Sequence, residues 1–452
     1  MLKGERAINH INSAIEIYKG KIKLIKDEVE IEVDGIIEQF YNNNKYIYLS
    51  GTVNDAPFET GLDFLGKYNF SFDNHSGEAY INRKRGSEIS GKVLRDITNN
   101  YSGNLNRVNV EFLNLVSLGE GVIERGRKSY LGKSKLEYGD WLIELNKQEN
   151  YKEIEQELKL HGGYAITHIA IIRKVDDDYF EVNELESILS SLIDFLNFVH
   201  GRRIGISVIE GFLEEIAVYN RFDNKNITPW NNTKNWYPDS SYEDYLDIFG
   251  SFTKLFEKEL WSERKNYIMG TYLDCFSEQT IEVKIIMIQT FLELISYIYL
   301  VQSDILPSSK LKSNRKFKNA PTFQNIQELF EKLEIPLVDA NNYLIKNTGV
   351  ENSCGNETAD SIKFFIKMRN QIIHPRKSSL FNNRNLRTAY YIGIWMIDMV
   401  MLRLLGYNER YWNRLSDNKW TGDVENGGSY YWVPWSENEN ITKNINGFIN
   451  PN

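Results

Sequence analysis

Cysteine is almost missing from this chain, with only Cys275 and Cys354 in 452 residues. Two thiols so far apart exclude a disulfide framework and leave no Cys-x-x-Cys zinc pattern, so a reducing, cytoplasmic setting is expected. Positive charge is in deficit, 53 Lys and Arg against 62 Asp and Glu for a net −9. The molecule as a whole therefore does not draw in nucleic acid through its overall field, and any polyanion must find a local basic patch. A clean apolar run of membrane-spanning length is missing too. The most apolar windows, Val283–Val301 and Tyr390–Leu405, carry Lys284, Glu293, Asp398 and Arg403 at helical spacing, which reads as core helices and no membrane partner. The opening Met1-Leu2-Lys3-Gly4-Glu5-Arg6 runs into charged segments, so no secretory signal is expected.

The common catalytic signatures are absent as well. There is no Gly-x-Ser-x-Gly, His-Glu-x-x-His or Gly-x-Gly-x-x-Gly. Gly126-Arg127-Lys128-Ser129-Tyr130-Leu131-Gly132-Lys133-Ser134 approaches a phosphate-binding loop but has one residue too many between its glycines, and reads as a basic turn before a strand. His161 and His168, of only six histidines, fall in one strand region, point to opposite faces and have no carboxylate pattern beside them. They are expected to be ordinary sheet residues, and no metal or cofactor is expected.

What is present is a well-furnished globular chain, 42% hydrophobic and 13% aromatic, long enough for two or three cores. In the first half, Glu28–Val33, Tyr46–Leu49, Asn109–Val116, Asp140–Leu145 and Gly162–Arg173 read as strands, separated by turn signals such as Asp34-Gly35, Ser50-Gly51 and Ser76-Gly77. Helical spacing follows in Leu185, Ile188, Leu189, Leu192, Ile193, Phe195 and Leu196. Phe222–Ser241 is rich in Asn, Asp and Pro and reads as a boundary. Beyond it Tyr245–Trp261, Ile281–Val301, Thr322–Leu333, Asp339–Thr348, Asp360–Ile373 and Leu386–Leu405 are helical, with Asn314–Pro321 and Thr348–Glu357 as loops. The expected fold class is multidomain: a β-rich, sandwich-like α+β domain with a packed helix over 1–225, serving as sensor or regulator, an all-α bundle over 240–412, and an irregular tail over 413–452.

One constellation carries chemistry. Asp360 is a good N-cap for a helix whose core stripe is Ile362, Phe365, Ile366 and Ile373, leaving Lys363, Lys367, Asn370 and His374 on another face. Pro375 disfavours helical geometry at His374, so the helix ends there and the imidazole can swing toward Arg369, while the helix end favours a protonated ring. A cation beside a proton-transfer group suits RNA transesterification, because the 2′-hydroxyl supplies its own nucleophile. Arg369 would clamp phosphate oxygens, His374 would move the proton, and Asn370 would hold the phosphate or the ring. Arg-x4-His alone arises by chance roughly 0.3 times in such a chain, so the following Asn, the helix end and the helical surroundings carry the weight. Lys310, Lys312, Arg315, Lys316 and Lys318, with Phe317 among them, form a candidate RNA-contacting run, joined by Arg376 and Lys377.

Arg369-Asn370-Gln371-Ile372-Ile373-His374-Pro375, after a long apolar helix at Ile281–Val301 and before another at Leu386–Leu405, resembles the HEPN superfamily. Leu402-Arg403-Leu404-Leu405-Gly406-Tyr407 looks like the last helix of bacterial HEPN domains in two-domain proteins similar to the ApeA anti-phage defence family, and Gly163–His168 looks like the end of their β-rich domain. The resemblance implies a metal-independent ribonuclease, a homodimer through the helical domain, and a place in phage defence or a toxin system with a phage-derived trigger or regulatory protein. The competing readings are a non-catalytic dimerisation or nucleotide-binding module, and a β domain that binds carbohydrate or a phage protein while the helices only assemble it.

Overall fold

The computed structural model describes residues 11–41, 45–54, 64–116, 121–125, 128–231, 236–237, 248–303, 305–348, 360–375, 381–416 and 430–436. The chain divides into two compact units, residues 1–233 and 234–452.

The first unit opens with β1 (Ile15–Lys26), β2 (Val29–Phe40), β3 (Tyr46–Val53), β4 (Gly66–Phe72), β5 (His75–Arg85) and β6 (Glu88–Val93). Hydrogen bonding runs β1-β2-β3-β6-β5-β4 and returns to β1, a closed antiparallel ring of six strands among the described residues. The expected sandwich is therefore a barrel in this part. The reason is local: Gly20, Gly35 and Gly51 fall in one register across β1, β2 and β3. A Cβ on Gly51 would lie 2.6 Å from the Gly35 Cα, so only glycine allows the bend that closes a sheet into so small a ring. Alternating residues such as Ile22, Leu24, Val33, Leu49, Phe70 and Ile81 fill the interior.

From the barrel, β7 (Ile97–Asn99) leads into a second stretch of sheet. It is followed by β8 (Asn104–Leu105), β9 (Arg107–Leu113), β10 (Gly121–Arg125), β11 (Lys128–Tyr138), β12 (Trp141–Lys147), α1 (Tyr151–His161), β13 (Ile166–Lys174), β14 (Phe180–Glu181), α2 (Val182–His200), β15 (Gly205–Leu213) and β16 (Ile216–Phe222). The antiparallel order β7-β16-β15-β9-β13-β12-β11-β10 completes the sheet. α2 begins with a reciprocal capping box between Glu181 and Glu184 and buries Leu185, Leu189, Leu192 and Leu196. The helix α1 replaces part of the expected strand region, so His161 ends a helix while His168 lies buried in β13.

The second unit is helical: α3 (Ile248–Glu257), α4 (Glu259–Asp274), α5 (Ile281–Tyr297), α6 (Asn314–Asn319), α7 (Thr322–Lys332), α8 (Val338–Thr348), α9 (Ser361–Ile373) and α10 (Asn383–Leu404), then the short strands β17 (Arg410–Trp412) and β18 (Tyr430–Trp432), which pair as a small antiparallel sheet. Two details depart from the sequence pattern. The helix expected over Tyr245–Trp261 is broken at Lys258, whose extended backbone (ψ 131°) starts α4 afresh. Asn314–Pro321, expected as a loop, holds α6, capped by the Ser313 side chain accepting from the Lys316 amide.

α10 is buried nearly all round, the signature of a central helix. Ile281–Gln302, α5 with the π-helical turn that extends it, is long and apolar enough to cross a membrane, and 56% of its most apolar window is buried within the structure, as in the core helix of a soluble protein. The tail beyond 412, which shows no period in sequence, contributes to the core where it is described. Val433 is fully buried, the Trp435 indole donates to the Tyr407 carbonyl at 2.8 Å, and Arg414 pairs with buried Asp398.

Candidate active site at the end of a buried helix

α9 is anchored at its start. Asp360 accepts from the amides of Ile362 and Lys363 at 3.0 and 3.3 Å, and the Ser361 amide donates to Asn341 on α8 at 2.8 Å. Ile362, Phe364, Phe365, Ile366 and Met368 are buried. Phe365 reaches the backbone of α10 at Gly393, where a Cβ would stand 2.7 Å from its ring and 2.9 Å from Ile288 of α5. The missing side chain lets three helices converge at that point. Ile373, expected in the core stripe, is instead 39% exposed, because the last turn of α9 emerges from the bundle.

That last turn carries the candidate site. Arg369 is half-buried, and Asn370 and His374 are exposed. The Arg369 Nη1 donates to Asn370 Oδ1 at 3.2 Å, while its Nε is buried without a hydrogen-bond partner among the described residues. The helix stops where Pro375 requires it, with His374 at φ −123°, ψ 73° and its amide donating to the Asn370 carbonyl at 2.8 Å. Asn370 thus joins both partners, Arg369 through its side chain and His374 through its backbone. The His374 imidazole makes no hydrogen bond among the described residues, and the guanidinium keeps donors for an anion. Among the described residues no group of three or more His, Cys, Asp or Glu is gathered as a metal site.

In the candidate RNA-contacting run, one of the five cations, Lys312, is engaged by neighbouring side chains. Lys312 Nζ donates to Glu328 at 2.7 Å and to Asn325 at 2.8 Å, tying the start of α6 to α7. Its charge is spent inside the fold, which sequence could not show because both partners lie more than ten residues away. Phe317 packs edge-on against Tyr297, ring centroids 5.2 Å apart, and is a packing residue. Lys310, Arg315, Lys316 and Lys318 are exposed. Arg376 and Lys377 lie outside the described residues.

Asp398 and His168 are two other buried ionisable groups. Burial pushes Asp398 up to about 6, against the opposing charge of Arg414. Burial, with Lys147 adding repulsion, pulls His168 down to about 3, and its ring packs edge-on against Tyr151. Both groups sit inside the fold, away from solvent.

Residues 100–233 match the family model described as the YopA central domain, and residues 258–426 that described as the YopA C-terminal domain. The chain is similar to the SPbeta prophage-derived uncharacterized protein YopA of Bacillus subtilis strain 168, with 28% identity over 360 residues, covering 79% of this chain and 78% of that protein. The matched models are thus those of YopA domains and not of a HEPN domain. No solved structure matches.

Proposed function

We propose that the helical unit is a HEPN-like endoribonuclease acting in the cytoplasm, in which Arg369, Asn370 and His374 cleave RNA without a metal. The observation that supports it is the emergence of this triplet from the bundle on one helix turn, with Arg369 bonded to Asn370 and the imidazole without a hydrogen-bond partner among the described residues. Arg369 binds a non-bridging phosphate oxygen and offsets charge as the 2′-oxygen attacks phosphorus. His374 takes the 2′-hydroxyl proton or delivers one to the departing 5′-oxygen, leaving a 2′,3′-cyclic phosphate. Asn370 keeps the guanidinium aimed and can donate to the phosphate through its amide nitrogen.

A single helix end supplies one such base or acid, so a second copy of the chain facing the first would furnish the other role. The prophage-derived relative supports a setting of conflict between phage and host, in which a phage product triggers or restrains cutting. The test is incubation of the purified chain with transfer RNA and structured RNAs in EDTA, beside His374→Ala. Fragments with 2′,3′-cyclic phosphate ends that disappear in the variant are expected. Intact RNA under every condition, including added phage lysate, would overturn the nuclease reading in favour of a non-catalytic binding module.

A further inference from the structure

The barrel presents a second, separate surface. Along β3 the side chains alternate, with Ile47 and Leu49 turned into the core and Tyr46, Tyr48, Ser50 and Thr52 turned outward. Register places Tyr48 beside Lys92, and Ser50 beside Ser90, on β6. On the other side of β6, Arg83 lies beside Ser90 and Arg85 beside Glu88. These hydroxyls and the two arginines line a shallow cleft of about 380 Å³.

Arg83, Arg85 and Lys92 are exposed, and among the described residues none of them is paired with a carboxylate. Glu88 shares the cleft, and Glu38 and Asp34 lie in register with Tyr48 and Thr52, so three acids stand near the three cations without pairing with them. Beside them the aromatics brace one another. Phe40 and Tyr46 stack at 5.5 Å with planes 17° apart, each meets Tyr48 edge-on, and the Lys92 ammonium sits 5.1 Å from the Tyr46 ring centre. All three rings are half-buried and keep some surface for a ligand.

Fixed ring faces next to unpaired cations and hydroxyls suit a ligand that has both flat bases and a chain of phosphates. A duplex hides its base faces in the stack, and an anionic glycan has none to offer. We propose that this face of the barrel binds a single-stranded nucleic acid, with bases against Tyr46 and Phe40 and phosphates on Arg83, Arg85 and Lys92. The site stands independently of whether His374 cuts.

The test is fluorescence anisotropy of the full chain with a labelled oligothymidylate of about 12 nucleotides, and of the His374→Ala chain with the matching oligouridylate. The deoxy strand has no 2′-hydroxyl to be attacked, so its binding is read whatever becomes of the nuclease proposal. Binding that weakens with salt is expected. Arg83→Ala/Arg85→Ala should lower affinity at least about tenfold and flatten the slope of log K against log salt by about 1.4, at about 0.7 per lost phosphate contact on a single strand. Tyr46→Ala should lower affinity about tenfold with the slope unchanged, since stacking releases no counterions. Tighter binding of the oligouridylate assigns the face to RNA, and equal binding assigns it to single strands of either sugar; both support the site. No binding at low salt, wild-type affinity in the double arginine variant, or binding of a sulfated glycan without either oligonucleotide would overturn it.

Discussion

The most demanding prediction concerns the ion pair buried in the first unit. Lys45 Nζ lies 2.9 Å from Asp223 Oδ1 and 2.5 Å from the Ile206 carbonyl, with both charged side chains at or below 1% exposure. Gln39 donates to the Asp223 carbonyl, and Tyr41 and Ser207 close the network around Gln39. The group ties β2 and the start of β3 in the barrel to β15 and the end of β16 in the adjoining sheet. Burial pulls the Lys45 ammonium below the usual lysine range, with Asp223 opposing. Burial alone would raise Asp223, and the charge and hydrogen bond of Lys45, with the charges of Lys225 and Arg221, more than reverse it. Removing one partner strands the other charge in the interior, at a cost of about 3–5 kcal/mol. Lys45→Met and Asp223→Asn should each destabilise the unit by about 4 kcal/mol, whereas the double variant should lose only about 1–2 kcal/mol, because no charge is left uncompensated. Hydrogen exchange read peptide by peptide separates this unit from the helical one. Amides of β2, β3 and β15 that exchange through global opening should speed up about a thousandfold in each single variant, since about 1.4 kcal/mol is a factor of ten. A single variant costing under about 1 kcal/mol, or a double variant equal to the sum of the singles, would refute the reasoning.

Three further outcomes are expected. If α9 carries the nuclease site, His374→Ala should reduce RNA cleavage about 10²–10⁴-fold, and Arg369→Lys should also impair it because the planar fork is lost; circular dichroism should show both folded, since the last turn of α9 is outside the core. His168 is buried and neutral with its pKa near 3 against 6.5 when free, so the unfolded chain binds more protons between those values and stability falls as pH drops below 6.5. At about 1.4 kcal/mol per pH unit this group alone removes about 2 kcal/mol by pH 5, and a denaturation series in which His168→Leu does not flatten the loss between pH 7 and 5 would count against it. Gly393→Val should destabilise the helical unit by about 1–3 kcal/mol by pushing Phe365 and Ile288 apart, to be checked by thermal unfolding, with an unchanged midpoint as the contrary result.

The local rules that sequence obeys explain what could be read from it. Asp360 caps α9 and Pro375 ends it because both act through backbone geometry within a few residues, and the period of Leu185 to Leu196 marks α2 for the same reason. The triplet Arg369, Asn370 and His374 was legible as a candidate for chemistry on the same footing. Barrel closure was not, because it depends on Gly20, Gly35 and Gly51 coming into one register across three strands, and pairing across strands leaves no period along any one of them. Lys312 looked like a free cation until α7 brought Glu328 to it, and Arg414 in a tail without pattern proved to be the partner of Asp398 inside α10. Arg83, Arg85 and Lys92 are unremarkable in sequence, and only the β5–β6–β3 register sets them beside Tyr46 and Tyr48 on one face. Sequence by itself determined the caps and the helix periods, and marked His374 as a candidate for proton transfer, all short-range consequences of backbone and side-chain chemistry. Tertiary structure alone decided which charges are paired inside the fold and which remain exposed, because that depends on partners brought together by distant segments of chain.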